Sequence, residues 1–217
     1  MIRVVLADDQ PMVRAGLRTI LESDAGIEVV AEAADGRAAL DALARSHPDL
    51  VLLDIRMPDM DGLTAAETIR TRHPDIPVVI VTTFHEDRYV ARALDAGVAG
   101  FVLKSADPYE LIGAVKAAIA GGTVLAPAVA RQILGSLRGR DLRDRLAARR
   151  EVAALTPRER DVLALVGAGL SNPQIAGRLH LAEGTVKTHL STILSKLGVA
   201  NRVQAAILAH QAGLSDP

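Results

Sequence analysis

Residues 49–54, DLVLLD, decide the fold of this 217-residue chain. Four aliphatic residues run without interruption to an aspartate, a pattern typical of a strand buried on both faces of a parallel sheet. Similar apolar runs predict strands at about 2–7, 27–34, 77–82 and 99–103. Segments with apolar residues at three- and four-residue spacing lie between these runs and predict helices. Together they predict an α/β fold with a five-stranded, doubly wound parallel sheet.

The composition indicates aliphatic cores and a reducing compartment. Apolar residues make up 49% of the chain, aromatic residues only 2%, and cysteine is absent. The lack of cysteine excludes disulfides and thiolate metal sites. The N-terminus becomes charged at Arg3, so it does not resemble a signal peptide, and no uncharged stretch is long enough for a bilayer. We therefore expect a cytoplasmic protein with no membrane partner.

The net charge of −1 hides an asymmetry along the chain. Residues 1–134 contain 13 Lys and Arg against 19 Asp and Glu, a net −6. Residues 135–150 contain 6 against 2, a net +4, and residues 151–217 contain 6 against 5, a net +1. The acidic part suits a divalent cation and the basic part a polyanion, although a solvated linker would show the same basic run.

Two changes of pattern divide the chain into three parts. The alternating strands and helices predict a first domain over residues 1–122, and residues 123–152 read as a linker that could be partly helical. Residues 153–217 are wholly helical in pattern and predict a small all-α domain of four helices. Thr156 and Glu159 have the spacing of a capping box at the start of the first of these helices.

Polar side chains stand at the carboxyl ends of four predicted strands, the edge where parallel sheets bind ligands. Neighbouring carboxylates repel each other and require a cation, and their hard oxygen atoms suit Mg²⁺. A single aspartate at a strand end is usually a turn residue or a cap, so the joint arrangement carries the prediction of a phosphoryl site. The five residues are Asp8, Asp9, Asp54, Thr82 and Lys104.

In such a site Asp54 would be the nucleophile that forms an aspartyl-phosphate. Lys104 and Thr82 would stabilise phosphoryl oxygens. Phosphatases of the haloacid dehalogenase class also use a strand-end aspartate, but they place a second aspartate two residues later as the general acid. Arg56 occupies that position here and is a poor proton donor. The sequence therefore argues against a hydrolase.

The stretches ADDQPMVRAGL, LVLLDIRMPDMDG, VVIVTTF and AGVAGFVLKS resemble the receiver domain of bacterial two-component response regulators. The resemblance implies that a sensor histidine kinase phosphorylates Asp54. It also implies that Asp9, Asp54 and the Arg56 carbonyl bind Mg²⁺ directly and that Asp8 assists through water.

The same resemblance assigns roles to residues on the last two strands. Thr82 and Lys104 would contact the phosphoryl group. Phe101 would be the aromatic residue whose side-chain conformation follows the Thr82 hydroxyl, so Thr82 and Phe101 form the implied switch.

Residues 171–198 predict a helix, a short turn and a second helix. The second helix has apolar positions at three- and four-residue intervals, and its remaining face carries short hydrogen-bonding side chains. Such a face suits the major groove of DNA, although an ordinary solvated face would look the same. The expected core residues are Val186, Leu190, Ile193, Leu194 and Leu197.

Residues 153–212, with the specific stretches TVKTH and KLGVANR, look like the LuxR-type helix-turn-helix of the NarL/FixJ regulators. The resemblance implies contacts of Lys187, Thr188 and Ser191 with base edges of double-stranded DNA. Ala182 stands where the family usually has a serine cap. The resemblance also implies phosphate contacts by Thr185, Lys196, Asn172 and Arg202.

The predicted function is a response regulator of a two-component system. Phosphorylation of Asp54 would control homodimer formation and sequence-specific DNA binding, and the protein would not be a turnover enzyme. The alternative left open is a phosphorylation-independent regulator or a protein-docking module.

Overall fold

The computed structural model describes residues 1–83, 92–93, 95–122, 124–125 and 142–214. The chain forms two compact units, one that contains residues 1–119 and one that contains the helices from residue 142 onward. Within the described ranges, no helix combines the length and apolar character needed to cross a membrane.

The first unit is built on a parallel sheet in the order β2-β1-β3-β4-β5-β6. This confirms the predicted five-stranded doubly wound sheet. A two-residue strand, β6, extends it at the edge beside β5, within the segment predicted to be a linker. The strands are β1 (Ile2–Ala7), β2 (Ile27–Ala33), β3 (Leu50–Leu53), β4 (Val78–Thr82), β5 (Gly100–Leu103) and β6 (Val124–Leu125).

Helices cover the sheet as the apolar spacing predicts. The predicted helix between β4 and β5 lies mostly outside the described residues. Three of the described helices around the sheet begin with a side-chain cap, since Asp35 accepts from the Ala38 N–H at 2.8 Å, Asp61 from the Thr64 N–H at 2.7 Å and Asp107 from the Tyr109 N–H at 2.8 Å. Their bounds are α1 (Pro11–Glu22), α2 (Gly36–Ser46), α3 (Gly62–Arg72) and α4 (Pro108–Ile119).

The central strands β3 and β4 are completely buried, which explains their unbroken aliphatic sequences. Neither strand alternates between polar and apolar residues because helices cover both faces of the sheet. The residues that follow β3 and β4 therefore emerge from a rigid interior at one edge.

Two glycines hold the loop that follows β3. The Gly62 N–H donates to the Ile55 carbonyl at 3.0 Å, and the Gly36 N–H donates to the Met60 carbonyl at 3.0 Å. A Cβ on Gly62 would lie 1.9 Å from the Asp54 carbonyl oxygen, and one on Gly36 would lie 2.7 Å from the Met60 carbonyl oxygen. Both sites lack room for a side chain, so the backbone after Asp54 is tightly packed.

The second unit is wholly helical. The four helices predicted after residue 153 are present, and a preceding helix, α5, arises from the segment predicted as a linker. Ala148 and Val152 of α5 belong to the same apolar core as Val162, Ile175 and Ile193. The helices are α5 (Leu142–Ala153), α6 (Pro157–Gly167), α7 (Asn172–Leu179), α8 (Glu183–Leu197) and α9 (Arg202–Ala212).

The start of α6 is joined to the end of α8 by an ion pair. The Glu159 carboxylate accepts the Thr156 N–H at 2.8 Å, which confirms the predicted capping box. Lys196 Nζ lies 2.8 Å from both oxygen atoms of the same buried carboxylate. The Lys196 ammonium and the Thr156 N–H lower the pKa of Glu159 to about 2. The ion pair therefore fixes α8 against α6.

Substituting Gly62 tests the packing behind Asp54. We expect Gly62→Ala to destabilise the first unit by about 1–3 kcal/mol, because its Cβ must displace the Asp54 backbone. Gly113→Ala is the matched control, since Gly113 is exposed on α4 with no atom near the added Cβ. Alanine there should stabilise by about 0.5–1 kcal/mol. Chemical denaturation measures both changes, and equal stability of the two variants would contradict the proposed packing.

Acid should weaken the contribution of Glu159 to stability. The folded-state pKa of about 2 lies below the ordinary value of 4.5, so the contribution is complete above about pH 4.5 and is lost as pH falls toward 2. Glu159→Gln should have a lower melting temperature than wild type at neutral pH, and the gap should narrow in acid. Asp161→Asn, which changes a half-exposed carboxylate on the same helix, should follow the wild-type pH profile. A gap independent of pH would argue against the ion pair.

Candidate functional site

Asp8 and Asp54 emerge side by side because β1 and β3 are neighbours. Ala7 is in register with Leu53, and the Asp54 N–H donates to the Ala7 carbonyl at 2.9 Å. Asp9 follows directly, and carboxylate oxygens of Asp8, Asp9 and Asp54 lie within 4.8 Å of one another. The sheet thus brings together the three acidic residues that the sequence singled out.

Lys104 joins the two buried carboxylates from the end of β5. Its Nζ lies 2.6 Å from Asp8 Oδ2 and 3.0 Å from Asp54 Oδ2, and all three side chains are more than nine-tenths buried. Burial raises the pKa of Asp54, Lys104 opposes that rise, and the Asp8 charge adds to it. Burial alone would lower the pKa of Lys104, but its hydrogen bonds to Asp8 and Asp54 outweigh burial and raise it.

The outer side of the acidic cluster is open. Asp9 is exposed, and it lines a pocket of about 440 Å³ together with the loop after β3. The rest of its wall is formed by Ile55, Arg56, Met57, Pro58 and Asp61. Three carboxylates beside one ammonium leave excess negative charge, and hard oxygen donors of this kind suit a divalent cation.

Thr82 and Phe101 lie deeper in the same unit. Thr82 ends β4 and is buried, and its carbonyl accepts the Lys104 N–H at 2.9 Å. Phe101 lies on the neighbouring strand β5, in register with Ile80, and is fully buried. Both residues therefore occupy the strands expected of them, and their switch role stays a prediction.

Arg14 is a supporting residue that the sequence reasoning missed. Its Nη1 donates to the Asp8 backbone carbonyl at 2.6 Å and its Nε donates to Glu32 at 3.0 Å. The one available signal was a basic residue near the start of α1, where the helix dipole favours anions. Arg14 connects α1 and β2 to the backbone of the acidic cluster.

Helix α8 has the two faces that its sequence predicts. Val186, Ile193 and Leu197 are buried in the core of the second unit. The opposite face exposes a row of short polar and basic side chains, and Ala182 makes no side-chain cap at its start. The exposed residues that the resemblance assigned to DNA are Thr185, Lys187, Thr188 and Ser191.

Two residues assigned to phosphate contacts are instead buried. Arg202 Nη1 donates to Asn172 Oδ1 at 2.7 Å, and Arg202 Nη2 donates to the Leu170 carbonyl. Burial lowers the pKa of Arg202 to about 10. The prediction that the Asn172 and Arg202 side chains contact DNA is wrong for this conformation, because the pair joins the start of α9 to the start of α7 inside the unit.

Lys196 is exposed but paired within the unit. Its ammonium lies 2.8 Å from both oxygen atoms of Glu159, and its contact with a DNA phosphate stays a prediction. Lys187 is different, since its partner Glu183 lies at 3.4 Å in the same exposed helix. Exposed pairs of this kind contribute little and exchange partners readily.

Two family models match this chain, one in each unit. Residues 4–116 match the response regulator receiver domain. Residues 153–209 match the luxR family of bacterial regulatory proteins. The first match covers the acidic cluster, Thr82 and Lys104, and the second covers α6 to α8 and most of α9.

Curated relatives match over nearly their whole length. The chain is 38% identical over 218 residues to the transcriptional regulatory protein LnrK of Bacillus subtilis, covering 99% of each chain. It is 41% identical over 214 residues to the response regulator protein VraR of Staphylococcus aureus, covering 98% of each chain.

Solved structures agree with these matches. The response regulator ChrA of a heme-sensing two-component system is 40% identical, with 98% of each chain covered and a TM-score of 0.54. RcsB, in a structure of two dimers bound to two parallel DNAs, is 26% identical with a TM-score of 0.59, with 97% of this chain and 98% of that chain covered. The chain therefore belongs to the two-component response regulators that join a receiver domain to a LuxR-type DNA-binding domain, and it is a regulator of transcription, not a turnover enzyme.

Proposed function

We propose that a sensor histidine kinase phosphorylates Asp54 and that the phosphorylated chain forms a homodimer that binds double-stranded DNA. Residues 1–122 form the receiver domain, 123–152 the linker and 153–217 the DNA-binding domain in this proposal. The observation that carries it is the buried cluster in which Lys104 contacts both Asp8 and Asp54. The site of action is the cytoplasm, where the DNA partner lies.

The phosphoryl transfer follows from the positions of Asp54 and Lys104. A carboxylate oxygen of Asp54 attacks phosphorus, the new O–P bond forms, and the P–N bond to the donor histidine breaks. The histidine nitrogen keeps the bonding electrons and takes up a proton. Lys104 already lies 3.0 Å from Asp54 and would offset charge on a phosphoryl oxygen. The Thr82 hydroxyl would hydrogen-bond another oxygen.

Mg²⁺ fits the acidic cluster because three carboxylates supply hard oxygen atoms within 4.8 Å of one another. Asp9, Asp54 and the Arg56 carbonyl would bind it directly, with Asp8 acting through water. When bound, the ion would reduce repulsion between the carboxylates and the incoming phosphoryl group. Exposed Asp9 faces the open pocket and gives the ion a route to the cluster.

Helix α8 is the element that would enter the major groove. The relative RcsB occurs as dimers bound to DNA, which supports a homodimer of this chain with one α8 in each half-site. Thr185, Lys187, Thr188 and Ser191 are exposed and remain available for contacts. Thr82 and Phe101 would transmit phosphorylation of Asp54 to the dimer surface.

Replacing the acceptor tests the phosphorylation proposal. With acetyl phosphate and Mg²⁺, wild type should gain one phosphoryl group by mass and should bind duplexes selected from a random library more tightly. Asp54→Asn should show neither effect, because the amide is not a nucleophile. Asp59→Asn is the control, since Asp59 is exposed in the same loop with φ 58°, a conformation that asparagine tolerates. A gain of DNA affinity by treated Asp54→Asn would contradict Asp54 as the acceptor, and equal binding by treated and untreated wild type would support the phosphorylation-independent alternative.

Removing the ammonium tests the cation site. Lys104→Met leaves two buried carboxylates without their cation and should destabilise the protein by about 3–5 kcal/mol. Mg²⁺ should raise the melting temperature of Lys104→Met more than that of wild type, because the ion replaces the missing positive charge. Lys116→Met removes a half-exposed ion pair with Asp24 and should cost less than about 1 kcal/mol. Equal Mg²⁺ shifts in wild type and Lys104→Met would contradict the proposed site.

A further inference from the structure

Thr188 lies on the exposed face of α8 with its hydroxyl turned back to the helix. Its Oγ1 donates to the Gly184 carbonyl at 3.0 Å. A threonine hydroxyl has one hydrogen to donate. That hydrogen is engaged, so the side chain presents a methyl group and an oxygen lone pair to the surroundings.

Gly184 keeps this methyl group accessible. Gly184 and Thr188 are four residues apart and therefore share one face of the helix. A Cβ built on Gly184 would have no atom within 4 Å, so no neighbour in the described structure requires a glycine there. The missing side chain leaves open space on the helix face directly before Thr188.

Thr192 repeats the arrangement one turn later, since its hydroxyl donates to the Thr188 carbonyl at 3.0 Å. The exposed side chains around Thr188 are polar or charged, with Thr185 and Ser191 three residues away and Lys187 paired with Glu183 at 3.4 Å. Thr188 is therefore a small apolar position within a polar face. A methyl group at such a position gains most by burial against another apolar group.

The major groove offers one apolar group on an unmodified base, the C5-methyl of thymine. Guanine offers only acceptors at this edge, which Thr188 cannot satisfy while its hydrogen is bound to Gly184. We propose that Thr188 selects a thymine in each half-site by contact between its methyl group and the thymine C5-methyl. This inference rests on the proposed binding of α8 to DNA and specifies its chemistry at one position.

The experiment varies the methyl group on both sides of the contact. Full-length phosphorylated protein binds duplexes, selected from a random library, in which each thymine is replaced in turn by deoxyuridine. At one thymine per half-site, loss of the methyl should weaken binding by wild type about fourfold. Replacing that thymine by cytosine or by 5-methylcytosine tests the same methyl group on another base, and 5-methylcytosine should bind about fourfold more tightly than cytosine.

Variants of Thr188 separate the contribution of its methyl group to DNA binding from that of its hydroxyl. Thr188→Val keeps a methyl group and should keep the sensitivity to deoxyuridine. Thr188→Ser keeps the hydroxyl and should lose that sensitivity. Thr71→Ser is the matched control, since Thr71 is an exposed helical threonine in the first unit whose hydroxyl donates to the Glu67 carbonyl at 2.9 Å. It should behave as wild type.

The outcomes distinguish this inference from the proposed function. If Thr188→Ser keeps the methyl sensitivity of wild type, or if Thr188→Val loses it, the methyl contact is wrong. If wild type binds the duplexes but responds to no thymine methyl, the inference fails and DNA binding stands. If phosphorylated wild type binds no duplex at all, the proposed function itself fails.

Discussion

The repulsion between two buried carboxylates is the constraint on which the receiver unit depends. The register of β1 and β3 forces Asp8 and Asp54 to emerge side by side. Lys104 compensates their charges, and it can do so only because β5 lies two strands from β3 in the observed order. Strand order and charge balance therefore support each other. A phosphoryl group on Asp54 would change that charge balance beside Lys104, the residue that contacts both carboxylates.

The features predicted correctly depend on local sequence. Unbroken aliphatic runs identify buried strands, and a parallel sheet places every strand end at one edge. From these two rules the sequence predicts that Asp8, Asp54 and Lys104 lie together, although it shows no contact between them. The capping box of Thr156 and Glu159 is equally local, since both partners lie within four residues. Sequence reasoning succeeds where neighbours in the chain decide the geometry.

The errors concern side chains whose direction is decided by distant neighbours. Asn172 and Arg202 are 30 residues apart in sequence and bond inside the unit. Each is polar and lies near a helix end, which is also typical of phosphate contacts. Only the packing of α7, α8 and α9 on α6 distinguishes the two roles. The sequence did not predict the short strand β6, because two residues are too few to show a periodic pattern of polar and apolar side chains.

Helix α8 is held unequally along its length, and this asymmetry suits its proposed role. Its last turn is fixed by the pair of Lys196 with the buried Glu159. Its first turn has no side-chain cap, because Ala182 replaces a residue that would contribute about 1 kcal/mol. Free N–H groups at a helix start attract anions. A DNA phosphate at that end would supply the hydrogen-bond acceptor that the Ala182 side chain lacks. DNA binding would therefore cap α8 at the end that carries Thr188.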